Sequence, residues 1–161
     1  MDNDSIVIIL DNIRSTLNVG AIFRTADGVG VDKIYLCGIT ATPKHPKIIK
    51  TALGAEESVS WEHRSNTVLT INKLRKSGYQ IIGLELNTSS FNFWETRYQN
   101  KVALVVGNEV SGLVKKTIEA CDLLIEIPMV GQKESLNVAT ATGVALYEIL
   151  RQKKYLDNTT Q

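Results

Sequence analysis

The chain has 161 residues, enough for one domain and too few for two of ordinary size. Hydrophobic residues make up 43% and charged residues 22%, the make-up of a globular domain rather than of a disordered segment. A formal net charge of +1 excludes a strongly basic nucleic-acid module, so contact with nucleic acid would need a local patch or an assembly of copies.

In chain order, residues 5–10 (SIVIIL) are a continuous apolar run. The run is short and follows Asp2 and Asp4 rather than basic residues, so it reads as a strand and not as a secretion signal. Val19, Ile22, Phe23 and Ala26 then mark a helix over 18–29, followed by a strand at 33–37 (KIYLC). Ile48, Ile49 and Leu53 predict a short helix ended by Gly54, and 56–62, with Val59 and Trp61, is a weaker strand candidate. Val68, Leu69, Ile71 and Leu74 define a helix closed by Gly78, with strands after it at 79–84 (YQIIGL) and 102–106 (VALVV). A helix over 113–120 has Ser111 as a candidate N-cap, and a strand follows at 123–127 (LLIEI). The last helix runs from Ser135 to about Lys153 and carries Leu136, Ala139, Val144, Leu146, Ile149 and Leu150.

Several of these strands are apolar on consecutive positions, as when both faces of a parallel sheet are covered. Strands alternating with helices predict an α/β fold, a mostly parallel sheet flanked by helices. No internal repeat or linker interrupts it, so residues 1–161 read as a single domain with a core of about 5–153. The polar tail 157–161 is expected to fray. No apolar run approaches the ~20 residues that span a bilayer. Cys37 and Cys121 are far apart and form no Cys/His group; together they read as two reduced thiols of a cytoplasmic protein without a metal site. His45 and His63 have no metal-binding companion either.

Ligands of such sheets sit beyond the carboxyl ends of the strands, and three segments there are unusual for mere connectors. The first, 12–26, places Asn18, Gly20 and Arg24 around the start of a helix. Arg24 lies off the apolar stripe, so it is either a functional guanidinium or an ordinary solvated helix charge, with Asn18 then a plain N-cap of that helix. The second, 106–113 (VGNEVSGL), flanks an Asn-Glu pair with two glycines, which permit close backbone approach to a ligand but also make a plain turn. The third, 127–139, runs from a strand through Pro128 and Gly131 into a helix opened by Glu134, Ser135 and Asn137. The ordinary interpretation makes Ser135 the N-cap with Asn137 inside the helix, where an amide is locally unfavourable.

Taken together, these segments resemble the three signature motifs of the SpoU/TrmH branch of the SPOUT methyltransferases. They appear as Asn18-x-Gly20-x-x-x-Arg24, as Gly107-x-Glu109-x-x-Gly112-Leu113, and as Ile127-Pro128-Met129-x-Gly131 followed by Glu134-Ser135-Leu136-Asn137-Val138. Thr42-Pro43 and residues 50–55 (KTALGA) also look like this family. The likeness runs from about Ile6 to Lys153.

The resemblance implies an α/β domain with a deep C-terminal trefoil knot, acting as a homodimer with S-adenosyl-L-methionine in the knot. It implies methylation of a ribose 2′-hydroxyl in tRNA or rRNA, with guanosine favoured. By the same correspondence Asn18, Arg24, Glu109, Ser135 and Asn137 form the catalytic face. Leu84, Glu85, Gly107, Asn108, Ile127, Met129, Val130 and Leu136 would hold the cofactor. Arg14, Lys44, Lys47, Lys50 and Arg64 are candidates for RNA phosphates, though each also suits a plain solvated charge. The family's base-like role for the arginine meets an obstacle: a guanidinium holds its proton far above neutrality, and lowering that hold to the range of a useful base is energetically expensive. A bidentate phosphate clamp suits guanidinium better. Glu109 remains open as base or as orienting group. Larger relatives add RNA-binding segments, so the core here is expected to leave little for substrate choice. Two other classes stand beside this reading. One is a non-catalytic module of the same fold that binds S-adenosyl-L-methionine or RNA. The other is an unrelated nucleotide-binding enzyme, which would want a GxGxxG turn that 11–17 does not supply.

Overall fold

The computed structural model describes residues 3–156; the tail expected to fray, 157–161, lies outside the described residues. The apolar run near the amino terminus forms β1 (Ser5–Asp11), buried from Ile6 onward. It pairs in parallel with β2 (Lys33–Cys37) on one side and β6 (Lys101–Val106) on the other. With β3 (Ser60–Arg64), β4 (Gln80–Leu84), β5 (Phe91–Asn92) and β7 (Leu123–Glu126), these make a seven-stranded sheet in the order β3-β2-β1-β6-β4-β7-β5. Every pairing is parallel.

Alternate residues of each strand enter opposite layers, as the two-residue period of a strand requires. Ile6, Ile8, Leu10, Leu104, Val106 and Ile125 pack in the larger core, under α1 (Thr16–Val29), α2 (Pro46–Ala52), α3 (Ala55–Ser58) and α6 (Val138–Arg151). Val7, Ile9, Ile81, Ala103 and Val105 face the smaller core, under α4 (Thr67–Lys76) and α5 (Lys115–Ala120). Burying both faces explains why the central strands are apolar without alternation.

Four local expectations are corrected. The segment 56–62 is not one strand: residues 55–58 form α3, with Glu56 and Glu57 in a first turn that favours acidic side chains, and β3 starts at Ser60. The first helix starts at Thr16 because Ser15, not Asn18, caps it by accepting the Asn18 N–H. Ser111 does not cap α5; it lies in a tight turn closed by Gly112 N–H donating to Asn108 O at 2.9 Å, and Val114 stands at the N-cap. Asn137, rather than Ser135, caps α6, its Oδ1 accepting from Ala139 N at 2.9 Å and Thr140 N at 3.2 Å. The amide that looked misplaced inside a helix is therefore at the position amides favour. Helix α6 passes into a π-helical turn, Gln152–Leu156.

The order β1-β6-β4-β7 decides where the loops go. Leu84 lies level with Val106 on one side and Ile125 on the other, and Leu10 is level with Val106. The carboxyl ends of four neighbouring strands thus finish side by side.

Candidate active site

Beyond those strand ends is a cleft of about 330 Å³. Leu84, Glu85, Gly107, Asn108, Glu109, Ile127, Ser135 and Leu136 all line it. The loops after β4, β6 and β7, distant in sequence, therefore meet in one place. The start of α6 closes the cleft with Val138 and Ala141, three residues apart and hence on one helical face.

Glycine is required where the turn after β6 folds on itself. A Cβ on Gly107 would come within 2.6 Å of the Gly112 carbonyl carbon and the Leu113 nitrogen. Gly112 has φ 67°, and a Cβ there would meet the Glu85 carboxylate at 2.6 Å. The same carboxylate accepts the Leu113 N–H at 2.6 Å, tying the β6 turn to the end of β4.

Glu109 is held from the other side. Its carboxylate accepts from Arg14 N at 3.0 Å, Ser15 N at 2.9 Å and Asn18 Nδ2 at 3.3 Å. Burial pushes its pKa up, but the Ser15, Glu109 and Arg14 N–H groups and the Asn18 amide outweigh that and hold it below the usual carboxylate range. Asn18 Oδ1 accepts in turn from Asn137 Nδ2 at 3.3 Å. A chain Asn137–Asn18–Glu109 thus links all three of the unusual segments. With its oxygens occupied as acceptors and its proton affinity lowered, Glu109 suits orientation and not general base catalysis.

Asn18 and Asn137 are not in the lining and reach it only through Glu109, and other predicted residues fall elsewhere. Arg24 is exposed on α1 and does not line the cleft. Met129 is half-buried but outside the lining, and Val130 is fully exposed. Arg14, Lys44, Lys47 and Lys50 are exposed. Arg64 is bound to Glu62 at 2.5 Å and lines a separate, smaller hollow with Tyr35 and Lys73. Glu126, Ser111, Val138 and Ala141 also line the cleft, although the sequence motifs assign none of them a role in the site. The helical spacing of the last two, one at the end of the third motif and one just past it, was the available signal.

The lining has one electrostatic sign. Glu85, Glu109, Glu126 and Glu134 contribute to it, and no lysine or arginine among the described residues does. No group of three or more metal-ligating side chains occurs among the described residues. Burial pushes the Cys37 thiol up to about 11 and Cys121 up to about 12, so neither is a nucleophile at neutral pH.

A model of the SpoU rRNA methylase family matches residues 5–147. The tRNA (guanosine(18)-2'-O)-methyltransferase of Aquifex aeolicus (strain VF5) is 38% identical over 150 residues, covering 92% of this chain and 70% of that protein. The 23S rRNA (guanosine-2'-O-)-methyltransferase RlmB of Blochmanniella floridana is 35% identical over 150 residues, covering 93% and 59%. A solved AdoMet-bound rRNA methyltransferase from Sinorhizobium meliloti superposes with a TM-score of 0.86 at 30% identity, covering 93% of this chain and 57% of that one. The chain thus spans 57% to 70% of these three proteins. By the family match and the identity along nearly its whole length, the chain belongs to the SpoU rRNA methylase family.

Proposed function

We propose that the chain transfers a methyl group from S-adenosyl-L-methionine to the ribose 2′-hydroxyl of an RNA nucleotide, guanosine in tRNA or rRNA. The observation that carries this is the Asn137–Asn18–Glu109 chain, which joins the three segments at one cleft. Family membership and the named activities of the relatives support it.

The lining fits the cofactor. Leu84, Val106, Ile127 and Leu136 give apolar walls for an adenine, and the close turn at Gly107 brings backbone groups to it. A cleft edged by carboxylates suits a sulfonium that also carries an ammonium group. Bound there, S-adenosyl-L-methionine supplies an electrophilic methyl group. The residues of the chain then have to orient the ribose, and Asn18 and Asn137, joined to the lining through Glu109, offer polar groups beside the cleft for that purpose.

RNA phosphates need cations, which the lining of a single copy lacks. Arg14, Lys44, Lys47 and Lys50 supply exposed charge. Arg24 points outward on α1, and we take the protein to work as a homodimer in which a second copy brings this guanidinium to a phosphate. Support comes from the outward side of α6, where Val144 is 38% and Tyr147 52% exposed. The reading includes the family's trefoil knot, consistent with a chain that inserts β4 between β6 and β7 and then crosses from the α5 layer to the α6 layer. A cytoplasmic location follows from the substrate, and no helix among the described residues is long and apolar enough to cross a membrane.

Tritium transfer from labelled S-adenosyl-L-methionine to mixed tRNA and rRNA tests the activity. Arg24→Ala should abolish transfer while S-adenosyl-L-methionine affinity stays within a few-fold. Wild-type protein that binds the cofactor yet labels neither RNA would favour the non-catalytic module; a wild-type rate in Arg24→Ala would remove that residue from the mechanism.

A further inference from the structure

The turn leaving β1 hinges on one residue in an uncommon conformation. Asn12 has φ 56°, in the left-handed region that few residues other than glycine adopt, asparagine being among those that do. Four hydrogen bonds converge on it. Its N–H donates to Cys37 O at 3.2 Å, and its Oδ1 accepts from Ile39 N at 3.0 Å. Its Nδ2 donates to Asp11 Oδ1 at 3.2 Å, and its carbonyl accepts from Asn108 Nδ2 at 2.8 Å.

Both neighbours of this residue are themselves fixed. Asp11 is only 3% exposed and accepts the hydroxyls of Thr67 at 2.6 Å and Thr117 at 3.3 Å, which anchors the strand end to α4 and to α5. Asn108 Oδ1 accepts from Val110 N at 2.9 Å and Ser111 N at 3.1 Å, shaping the turn after β6. Two and three residues beyond Asn12, the Arg14 and Ser15 N–H groups reach Glu109. The backbone conformation of Asn12 sets, with the residues after it, the direction of its carbonyl and of the amides that follow, so it bears on both contacts between the β1 and β6 turns.

We propose that Asn12 is a positioning residue for the methyl-transfer site: its left-handed backbone aims a carbonyl at Asn108 and the following amides at Glu109, fixing one rim of the cleft in advance. The requirement at this position is tolerance of positive φ, more than the side-chain amide. The bearing on methyl transfer rests on the function proposed above; the bearing on the rim does not.

Amide hydrogen exchange by NMR on the full chain tests this without RNA. Asn12→Ala keeps the Cβ but loses the short polar side chain that lets asparagine adopt positive φ, and should speed exchange at Arg14, Ser15 and Gly112 at least tenfold while Ile8 and Val105 in the central strands stay protected. The same variant should bind S-adenosyl-L-methionine at least tenfold more weakly by calorimetry. Asn12→Gly loses the same side-chain bonds but accepts positive φ, and should return both quantities to within threefold of the wild type. Equal losses in the two variants would overturn the proposal, because the side chain would then be responsible. Where Asn12→Ala fails to fold, Asn108→Ala cuts the carbonyl link instead, and unchanged exchange at Ser15 and Gly112 in it would also overturn the proposal. A wild type that binds no S-adenosyl-L-methionine, with the exchange pattern as stated, would remove the function and support the role of Asn12.

Discussion

On one side of the cleft, the turn of residues 107–113 is clamped between Glu85, which takes the Leu113 N–H, and Glu109, which takes the Arg14 and Ser15 N–H groups. On the other, residues 130–135 are all exposed, and Val130 has no cover at all. The two rims carry equally conspicuous sequence, but only the first is organised by the chain itself. An organised rim meets its ordering entropy during folding, whereas an exposed loop must meet it when a ligand or a second copy arrives. The contrast assigns geometry to the β6 turn and adjustment to the loop after β7.

The largest effect should come from breaking the organised rim. Gly107→Ala places a methyl group against the backbone of Gly112 and Leu113, and overpacking of that kind costs about 1–3 kcal/mol. Most of that cost should appear in the cleft, with S-adenosyl-L-methionine binding falling up to ~100-fold by calorimetry. Binding at wild-type strength would show that the turn can shift freely, and the contrast would fail.

Next is Glu109→Gln, which keeps the shape but loses the charge from three hydrogen bonds. Unfolding in denaturant at pH 7 should show a loss of about 1 kcal/mol, the difference between a hydrogen bond to a charged group and one to a neutral group. The sign of its pH dependence follows from the lowered pKa of Glu109. The clamp is fully present above the unfolded glutamate value of about 4.3 and is lost as pH falls through the lower folded value. The gap between variant and wild type should therefore narrow below about pH 4. If Glu109 were instead the base, the variant would erase an acidic limb of the rate profile near neutrality and leave stability almost unchanged.

A smaller, comparative effect sharpens the other side. Adding S-adenosyl-L-methionine should slow amide exchange several-fold more at 130–136 than at 107–113, since the latter is already held. Equal slowing on both rims would contradict the division. The smallest effect belongs to Val130→Ala, a change at a fully exposed side chain. Its stability should stay within about 0.5 kcal/mol and its S-adenosyl-L-methionine affinity within twofold; a tenfold loss of affinity would mean that the Val130 side chain itself packs on the ligand.

Much of the fold was legible in the residues. Val102 to Val106 needed only its unbroken apolar run to be read as a doubly covered strand, and the Val19/Ile22/Phe23/Ala26 stripe placed α1. The two-residue β5 carries no pattern of its own, because its pairing with β7 depends on the edge beside it. Residues 55–58 were misread because four residues are too few to show a helical period. In the site, Asn18, Glu109 and Asn137 were visible as polar residues out of place, and the structure gives each a partner. Arg24, equally visible, is left by a single copy of the chain outside the cleft.

By itself the sequence determined most of the strand and helix segments and which side chains are chemically unusual, because burial and local propensity act over a few residues. Only the tertiary structure decided that Leu84, Val106 and Ile125 stand level, and hence that three separated loops share one cleft. Strand order is a long-range pairing choice, with no local signal to announce it. The same holds for Asn12, whose importance lies in contacts with Ile39 and Asn108, 27 and 96 residues away.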